Sequence, residues 1–128
     1  MKKSLIKEKS YKFASDIIEL YKLLIKKNEY VISKQILKSG TSIGANVEEA
    51  LAGQSRSDFL SKMSIASKEA RESKYWLNLL GDGGFLNKET LAPFVEDADS
   101  LIKILTSIVK TTSTTNLKPK TKNSNLSK

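Results

Sequence analysis

The chain has 128 residues, 28% of them charged, with no Cys, no His and a formal net charge of +8. That excludes a disulfide framework and a thiolate metal site, and it removes the commonest general base and transition-metal ligand. No apolar run approaches the ~20 residues that cross a bilayer, and Lys7, Glu8 and Lys9 interrupt what a signal peptide would need as its apolar segment, so one domain in a reducing cytoplasm is expected.

The first helix is expected over about Leu5 to Lys27. Phe13, Ile17, Leu20 and Leu24 make one apolar stripe, and Ala14, Ile18, Tyr21 and Ile25 make a second beside it. Asn28 and Glu29 form a short connection. The second helix runs from about Tyr30 to Leu51, where Val31, Ile32, Ile36 and Leu37 lead into a small-residue seam of Gly40, Ile43, Val47, Ala50 and Leu51. Small residues on a seam let two helix backbones approach closely; here they are expected to pack helix 2 against helix 3. Gly53 marks a stop and Ser57 a new N-cap.

The third helix is expected over about Asp58 to Leu80. Phe59, Met63, Ala66, Ala70, Ser73, Leu77 and Leu80 alternate steps of four and three, an a/d seam. Gly81-Asp82-Gly83-Gly84 is the strongest breaker in the chain. It lacks the Lys-Ser/Thr of a phosphate loop and no strand precedes it, so it reads as a turn. Phe85 and Leu86 are expected to fold back onto the core. Asn87 caps a fourth helix running to about Thr111, with Pro93 in its first turns allowing a slightly later start. The sequence TTSTTNLKPKTKNSNLSK that follows is polar and Lys-rich, the composition of a disordered segment.

Four helices with short loops predict an all-α fold, an antiparallel up-down-up-down four-helix bundle at residues 1–112, followed by a disordered basic tail at 113–128. The second stripe on helix 1, with Leu60, Ile65, Tyr75, Trp76 and Leu79 off the helix 3 seam, exceeds what a lone bundle must bury. Surplus apolar surface predicts self-association; scattered exposed apolar groups on a wide internal face are the plainer alternative.

Charge is unevenly spread. Residues 1–38 hold ten Lys against four acids, a net +6; residues 39–110 hold eight basic and ten acidic groups, a net −2; residues 111–128 hold four Lys and no acid. A basic first helix and tail fit a polyanionic partner, and solvated surface lysines are the bland alternative.

At SGTSIGANVEEA and QSRSDFLSKMSIASKEARESKYWLNLL the chain resembles the four-helix-bundle family named for a protein encoded in an intervening sequence of bacterial 23S ribosomal RNA. Ser42, Ile43, Asn46 and Glu49 match the family's helix 2 pattern, and Ser57, Phe59, Ala66, Glu69, Glu72 and Leu77 match its helix 3 pattern. The resemblance covers about residues 10–110 and is specific in the central forty or so. Ala50 stands where many members have Gly, and Lys27-Asn28-Glu29-Tyr30 replaces a proline-containing connection; both place the chain in a different subgroup. The resemblance implies a ring-forming bundle, typically a pentamer, with no established catalytic activity. A related retroelement accessory protein binds nucleic acid, and that analogy extends the polyanion reading.

Candidate sites are few. Asn46 reads best as a hydrogen bond across the core or at the contact of helices 2 and 3, fixing register. Ser39, Thr41 and Ser42 read as back-bonded or close-packed hydroxyls. Glu69-Ala70-Arg71-Glu72 has the i, i+3 spacing of bundle di-metal sites, but those also need His, so pairing of Glu48, Glu49, Glu69 and Glu72 with nearby cations is favoured. Arg56, Lys62, Lys68, Arg71 and Lys74 could touch phosphate, and Tyr75 or Trp76 could stack on a base. No catalytic, cofactor-binding or metal residue is assigned, and neither an enzyme activity, a small-molecule substrate nor a membrane is expected. The expected partners are other copies of the chain and RNA or DNA, with Lys2, Lys3, Lys7, Lys9, Lys118, Lys120 and Lys122 supplying phosphate contacts. A scaffold for a protein partner is the alternative.

Overall fold

A computed structural model describes the backbone of residues 2–121 and the side chains of residues 5–114. Among the described residues there are four helices and no strand: α1 (Lys2–Lys26), α2 (Ile32–Ala52), α3 (Arg56–Asp82) and α4 (Lys88–Thr121). Each helix packs on its neighbours in sequence, and α4 also touches α1, which encloses a single core. The stripes foreseen for that core occupy it. Phe13, Ile17, Leu20 and Leu24 of α1 are buried with Ile43, Val47 and Ala50 of α2; Met63, Ala66, Ala70, Leu77 and Leu80 of α3 and Leu101 and Leu105 of α4 complete the packing.

The contacts run in an orderly register. Early α1 meets late α2: Lys7 reaches Glu48, Ser10 lies by Gly44, and Ile17 lies by Gly40. Late α2 likewise meets early α3 through Glu49 and Lys62, while Ser39 meets Ser73. Between α3 and α4, Arg71 donates to Thr106 and Lys74 pairs with Asp99.

Two helices end in the same way. The Asn28 N–H donates to the Ile25 carbonyl and the Glu29 N–H to the Leu24 carbonyl, with Asn28 at φ 67°. The Gly84 N–H donates to Gly81 and the Phe85 N–H to Leu80, with Gly84 at φ 78°. This is the Schellman arrangement, in which a left-handed residue lets the chain satisfy carbonyls the helix leaves open. Asn is the side chain that adopts that conformation most readily after Gly.

Glu29 is more than a link in the connection. The residue is 7% exposed, and its carboxylate accepts three backbone N–H groups at the head of α2. Val31 and Ile32 donate to Oε2 at 3.0 and 2.9 Å, and Ser33 donates to Oε1 at 2.6 Å. Burial pushes its pKa up, yet the N–H groups of Ile32, Ser33 and Val31, with help from the neighbouring Ser33 hydroxyl, outweigh burial and hold it below the usual carboxylate value. The positive end of the helix dipole favours the same charge.

Several boundaries differ from the periodicity. Helix α2 begins at Ile32 rather than Tyr30, because Glu29 caps from outside the helix. The α3 N-cap is Ser55, not Ser57: Ser55 is extended and its hydroxyl accepts the Asp58 N–H at 3.0 Å. Ser55 has an acid three residues on, the capping-box spacing, whereas Leu60 occupies that place relative to Ser57. Gly81 and Asp82 continue α3, and the turn falls at Gly83-Gly84. Leu86 folds into the core as expected, but Phe85 stays 43% exposed. Asn87 caps α4 by accepting the Thr90 N–H at 2.7 Å, and the helix starts at Lys88, before Pro93. Helix α4 passes Thr111 and the boundary at 112 and continues to Thr121, into the segment read as tail; residues 122–128 lie outside the described residues.

The capping role of Glu29 has a measurable consequence. Glu29→Ala should lower unfolding free energy by about 1–2 kcal/mol at neutral pH. Because the folded pKa is depressed, the carboxylate's contribution is complete above its unfolded pKa and is lost as pH falls through the folded value. Urea unfolding from pH 7 down to 3 should therefore show a shallower acid decline for Glu29→Gln than for wild type.

Gly40 offers a second test. A Cβ there would sit 2.9 Å from Ile17 Cγ1 and 3.3 Å from Ile17 Cβ. Ile17 is buried and branched close to its backbone, so it has little freedom to yield. Overpacking of about 1–3 kcal/mol competes with about 1 kcal/mol of helix propensity gained. Gly40→Ala should be destabilising on balance. Gly81→Ala, which meets the tip of Leu91 at 3.3 Å and Lys88 Cγ at 3.7 Å, should cost less in the same thermal melts.

Candidate interaction surfaces

The small and polar residues of α2 divide between two neighbours. Gly40 and Gly44 face α1, where Gly44 comes so close that a Cβ would lie 3.3 Å from the Ser10 carbonyl oxygen. This corrects the expectation that the small-residue seam serves α3 alone. Toward α3, Ser39 and Ser73 are both buried and their hydroxyls are 3.0 Å apart. Each hydroxyl has one proton, and carbonyls of Glu69 at 2.9 Å and Ile36 at 3.5 Å stand ready to accept. One hydroxyl therefore donates to the other, which donates to its own helix. Ser39 is thus a packed, paired hydroxyl with no access to a substrate.

Thr41 and Ser42 back-bond to the Leu37 and Lys38 carbonyls at 2.7 Å each. Asn46 does not bond across the core as expected; its amide donates to the Ser42 carbonyl at 2.8 Å on its own helix, with the side chain half-buried. The i−4 carbonyl lies within reach of its short side chain, so the local bond forms first.

The outer side of the α2–α3 contact gathers charge and apolar surface. Ile65, Glu69, Glu72 and Trp76 follow one another at steps of four, three and four along α3. The strip lies beside α2, since Lys62 one turn earlier reaches Glu49 at 2.9 Å and Glu69 feels the charge of Lys38. Burial raises the Glu69 pKa, repulsion from Glu72 raises it further, and Lys38 and Lys68 only partly offset them. The Trp76 indole N–H donates to Glu72 at 3.1 Å while its ring packs on the core. Tyr75 meets that ring edge-on at 4.9 Å and is otherwise 56% exposed. Among the described residues no cluster of three or more His, Cys, Asp or Glu is arranged to hold a metal. Nor is any described helix long and apolar enough to cross a membrane.

Of the cations on α3, Lys62, Arg71 and Lys74 are engaged across helices with Glu49, Thr106 and Asp99. Arg56 and Lys68 are exposed.

Of the seven lysines expected to hold phosphate, Lys2, Lys3, Lys7, Lys9, Lys118 and Lys120 have their backbone toward one end. That end joins the start of α1, the α2–α3 turn and late α4: Lys7 reaches Glu48 at 3.8 Å, and Leu51, Arg56 and Phe59 share a cavity of about 470 Å³ with Thr111 and Thr112. Lys7 is exposed on the α2 side. Lys9 is half-buried on the α4 side, in a small pocket with Lys12, Asp97 and Leu101, so the two do not form one row. Lys2 and Lys3 are on α1, and Lys118 and Lys120 on α4, by backbone alone; their side chains, and Lys122 altogether, lie outside the described residues.

A family described as 23S rRNA-intervening sequence protein matches residues 2–107. The chain belongs to that family. A crystal structure of a protein of unknown function from the S23 ribosomal protein family of Bacteroides thetaiotaomicron is similar to this family member, with a TM-score of 0.84 and 48% identity. The similarity covers 86% of this chain and 99% of that one. No curated protein matches. The match begins at the start of α1, ahead of the residues 10–110 over which the resemblance was read, and ends within α4 at 107.

The serine pair should behave as a unit. Ser39→Ala and Ser73→Ala should each cost about 1 kcal/mol, since each removes the hydrogen bond between two buried hydroxyls and leaves the survivor only its own helix carbonyl. The double substitution should cost less than the sum, with a coupling of about 0.5 kcal/mol or more in urea melts. Strict additivity would show that the two hydroxyls do not depend on each other.

Proposed function

We propose that this family member is a non-enzymatic, antiparallel up-down-up-down bundle that self-associates into a closed ring and acts as a nucleic-acid-binding accessory. The antiparallel reading is supported by the register, in which early positions of each helix meet late positions of the next. Self-association is supported by apolar side chains left at the surface, among them Tyr11 at 73% and Ile18 at 40% exposure.

The observation that carries the nucleic-acid reading is the convergence of the start of α1 and the late part of α4 at one end. It gathers two stretches that hold most of the chain's excess positive charge. Of the acids toward that end, Glu48 and Glu49 already face Lys7 and Lys62, and Glu8 and Asp58 also lie there. Lysines outnumber acids in both stretches. Such binding would be sequence-tolerant and dominated by counterion release.

Light scattering of the purified protein, with and without a mixed RNA and DNA pool, tests both halves together. A particle several times the monomer mass that grows with nucleic acid is expected. The affinity should fall by about tenfold or more between roughly 50 and 200 mM salt. Replacing Lys2, Lys3, Lys7 and Lys9 by Ala should weaken binding across sequences alike and flatten the salt slope by about 1 for each phosphate no longer neutralised. Binding indifferent to salt, or absent at low salt, defeats the reading.

A further inference from the structure

Two partly exposed apolar strips flank α2 on different sides. On α1, Tyr11, Ala14, Ile18, Tyr21 and Ile25 repeat at steps of three and four, and Lys7, four residues before Tyr11, reaches Glu48 of α2. Its core-facing stripe is spent inside the molecule, so this second stripe serves no internal neighbour fully; Ala14, Tyr21 and Ile25 are only half-buried. On α3, the strip of Ile65, Glu69, Glu72 and Trp76 lies on the opposite flank of α2.

The charges of the two strips differ in sign. Lys7 and Lys22 border the α1 strip, within a segment of net +6, while Glu69 and Glu72 stand in the α3 strip, within a segment of net −2. The cations are held locally only by exposed pairs, Lys7 with Glu48 at 3.8 Å and Lys22 with Glu19 at 3.3 Å. Exposed pairs of this kind contribute little and exchange readily. Among the described residues, no salt bridge holds Glu69 or Glu72.

We propose that the α1 strip of one copy docks on the α2–α3 face of a second copy, so that Tyr11 and Ile18 cover Ile65 and Trp76 while lysines meet Glu69 and Glu72. The inference rests on the self-association reading and specifies which surfaces meet. Such an interface is head-to-tail: the two patches differ, and every copy offers one of each. Both patches border α2 and lie on adjoining sides of the molecule rather than back to back. Successive copies therefore turn rather than run straight, and the chain of copies closes into a ring where the rotation per copy divides the full turn. An interface core of aromatic and aliphatic groups rimmed by charge has the usual make-up of a specific contact.

Complementary variants test it. Tyr11→Glu with Ile18→Glu spoils only the α1 strip; Ile65→Arg with Glu69→Arg spoils only the α3 strip. Each variant alone should fall to the monomer mass in light scattering. Mixed in equal amounts, they should form a heterodimer and stop there, since one intact patch of each kind remains. Circular dichroism and thermal melts establish that each variant is folded. Should either fail, the milder pair Tyr11→Ser with Ile18→Ser and Ile65→Ser with Glu69→Gln replaces it, with the same expectation.

If wild type assembles but either folded variant does too, or if the folded mixture gives no heterodimer, the docking assignment is overturned and the self-association reading stands. A wild type that remains monomeric overturns self-association itself.

Discussion

Helix α2 is held at short range on both sides, and the rest of the molecule is arranged around that constraint. Toward α1 the approach is limited by Ile17 and by the backbone of Ser10, which leave no room for a side chain at Gly40 and little at Gly44. Toward α3 it is set by two serine hydroxyls in contact. Close approach places backbones where dispersion contacts are many and voids few. It also narrows the register, because a slide of one residue would bring a β-carbon against Ile17 and part the two serines. The small residues cost helix propensity, and tight packing on two flanks offsets that cost.

The connections reinforce the same arrangement. A helix with glycines in its interior is poorly nucleated by itself, and α2 is started from outside by the Glu29 carboxylate. That carboxylate is positioned by the Schellman turn ending α1, since the Glu29 N–H is bound to the Leu24 carbonyl. The end of one helix thus fixes the cap of the next. Burial without partners would favour the neutral acid; three N–H donors reverse this, so the chain keeps a buried negative charge at the place where a helix dipole most favours it.

The legible part of the fold was the part governed by period. Stripes at three- and four-residue steps identified the first three helices and most of the apolar residues they bury, because burial of a helix face follows spacing. What escaped was governed by single hydrogen bonds. Whether Ser55 or Ser57 caps α3 depends on which serine has an acceptor-compatible partner three residues on. Glu29 acts across a turn whose geometry composition does not reveal. Asn46 had the right place for a crossing bond, but a nearer carbonyl on its own helix took its donor. Helix α4 runs on to Thr121, beyond the apolar period that ends at Val109.

The same division explains why the motif that identifies the family says little about chemistry. Ser42 is bonded to its own helix, and Ile43 and Ala66 are buried. Glu49 is joined to Lys62, whereas Glu69 and Glu72 remain on the outer flank of α2 with Trp76. Glu69 is half-buried, and burial together with the neighbouring charge of Glu72 raises its pKa. Lys38 and Lys68 offset this only in part, and the segment that carries α1 holds a surplus of cations. An unfavourable local charge arrangement on one face and a compensating one on another is what a subunit contact between unlike surfaces requires. Under the docking proposed above, Glu69 and Glu72 are the members of the motif assigned to the contact between copies, and the proposed polyanion binding is assigned to the lysine-rich end that the motif does not include.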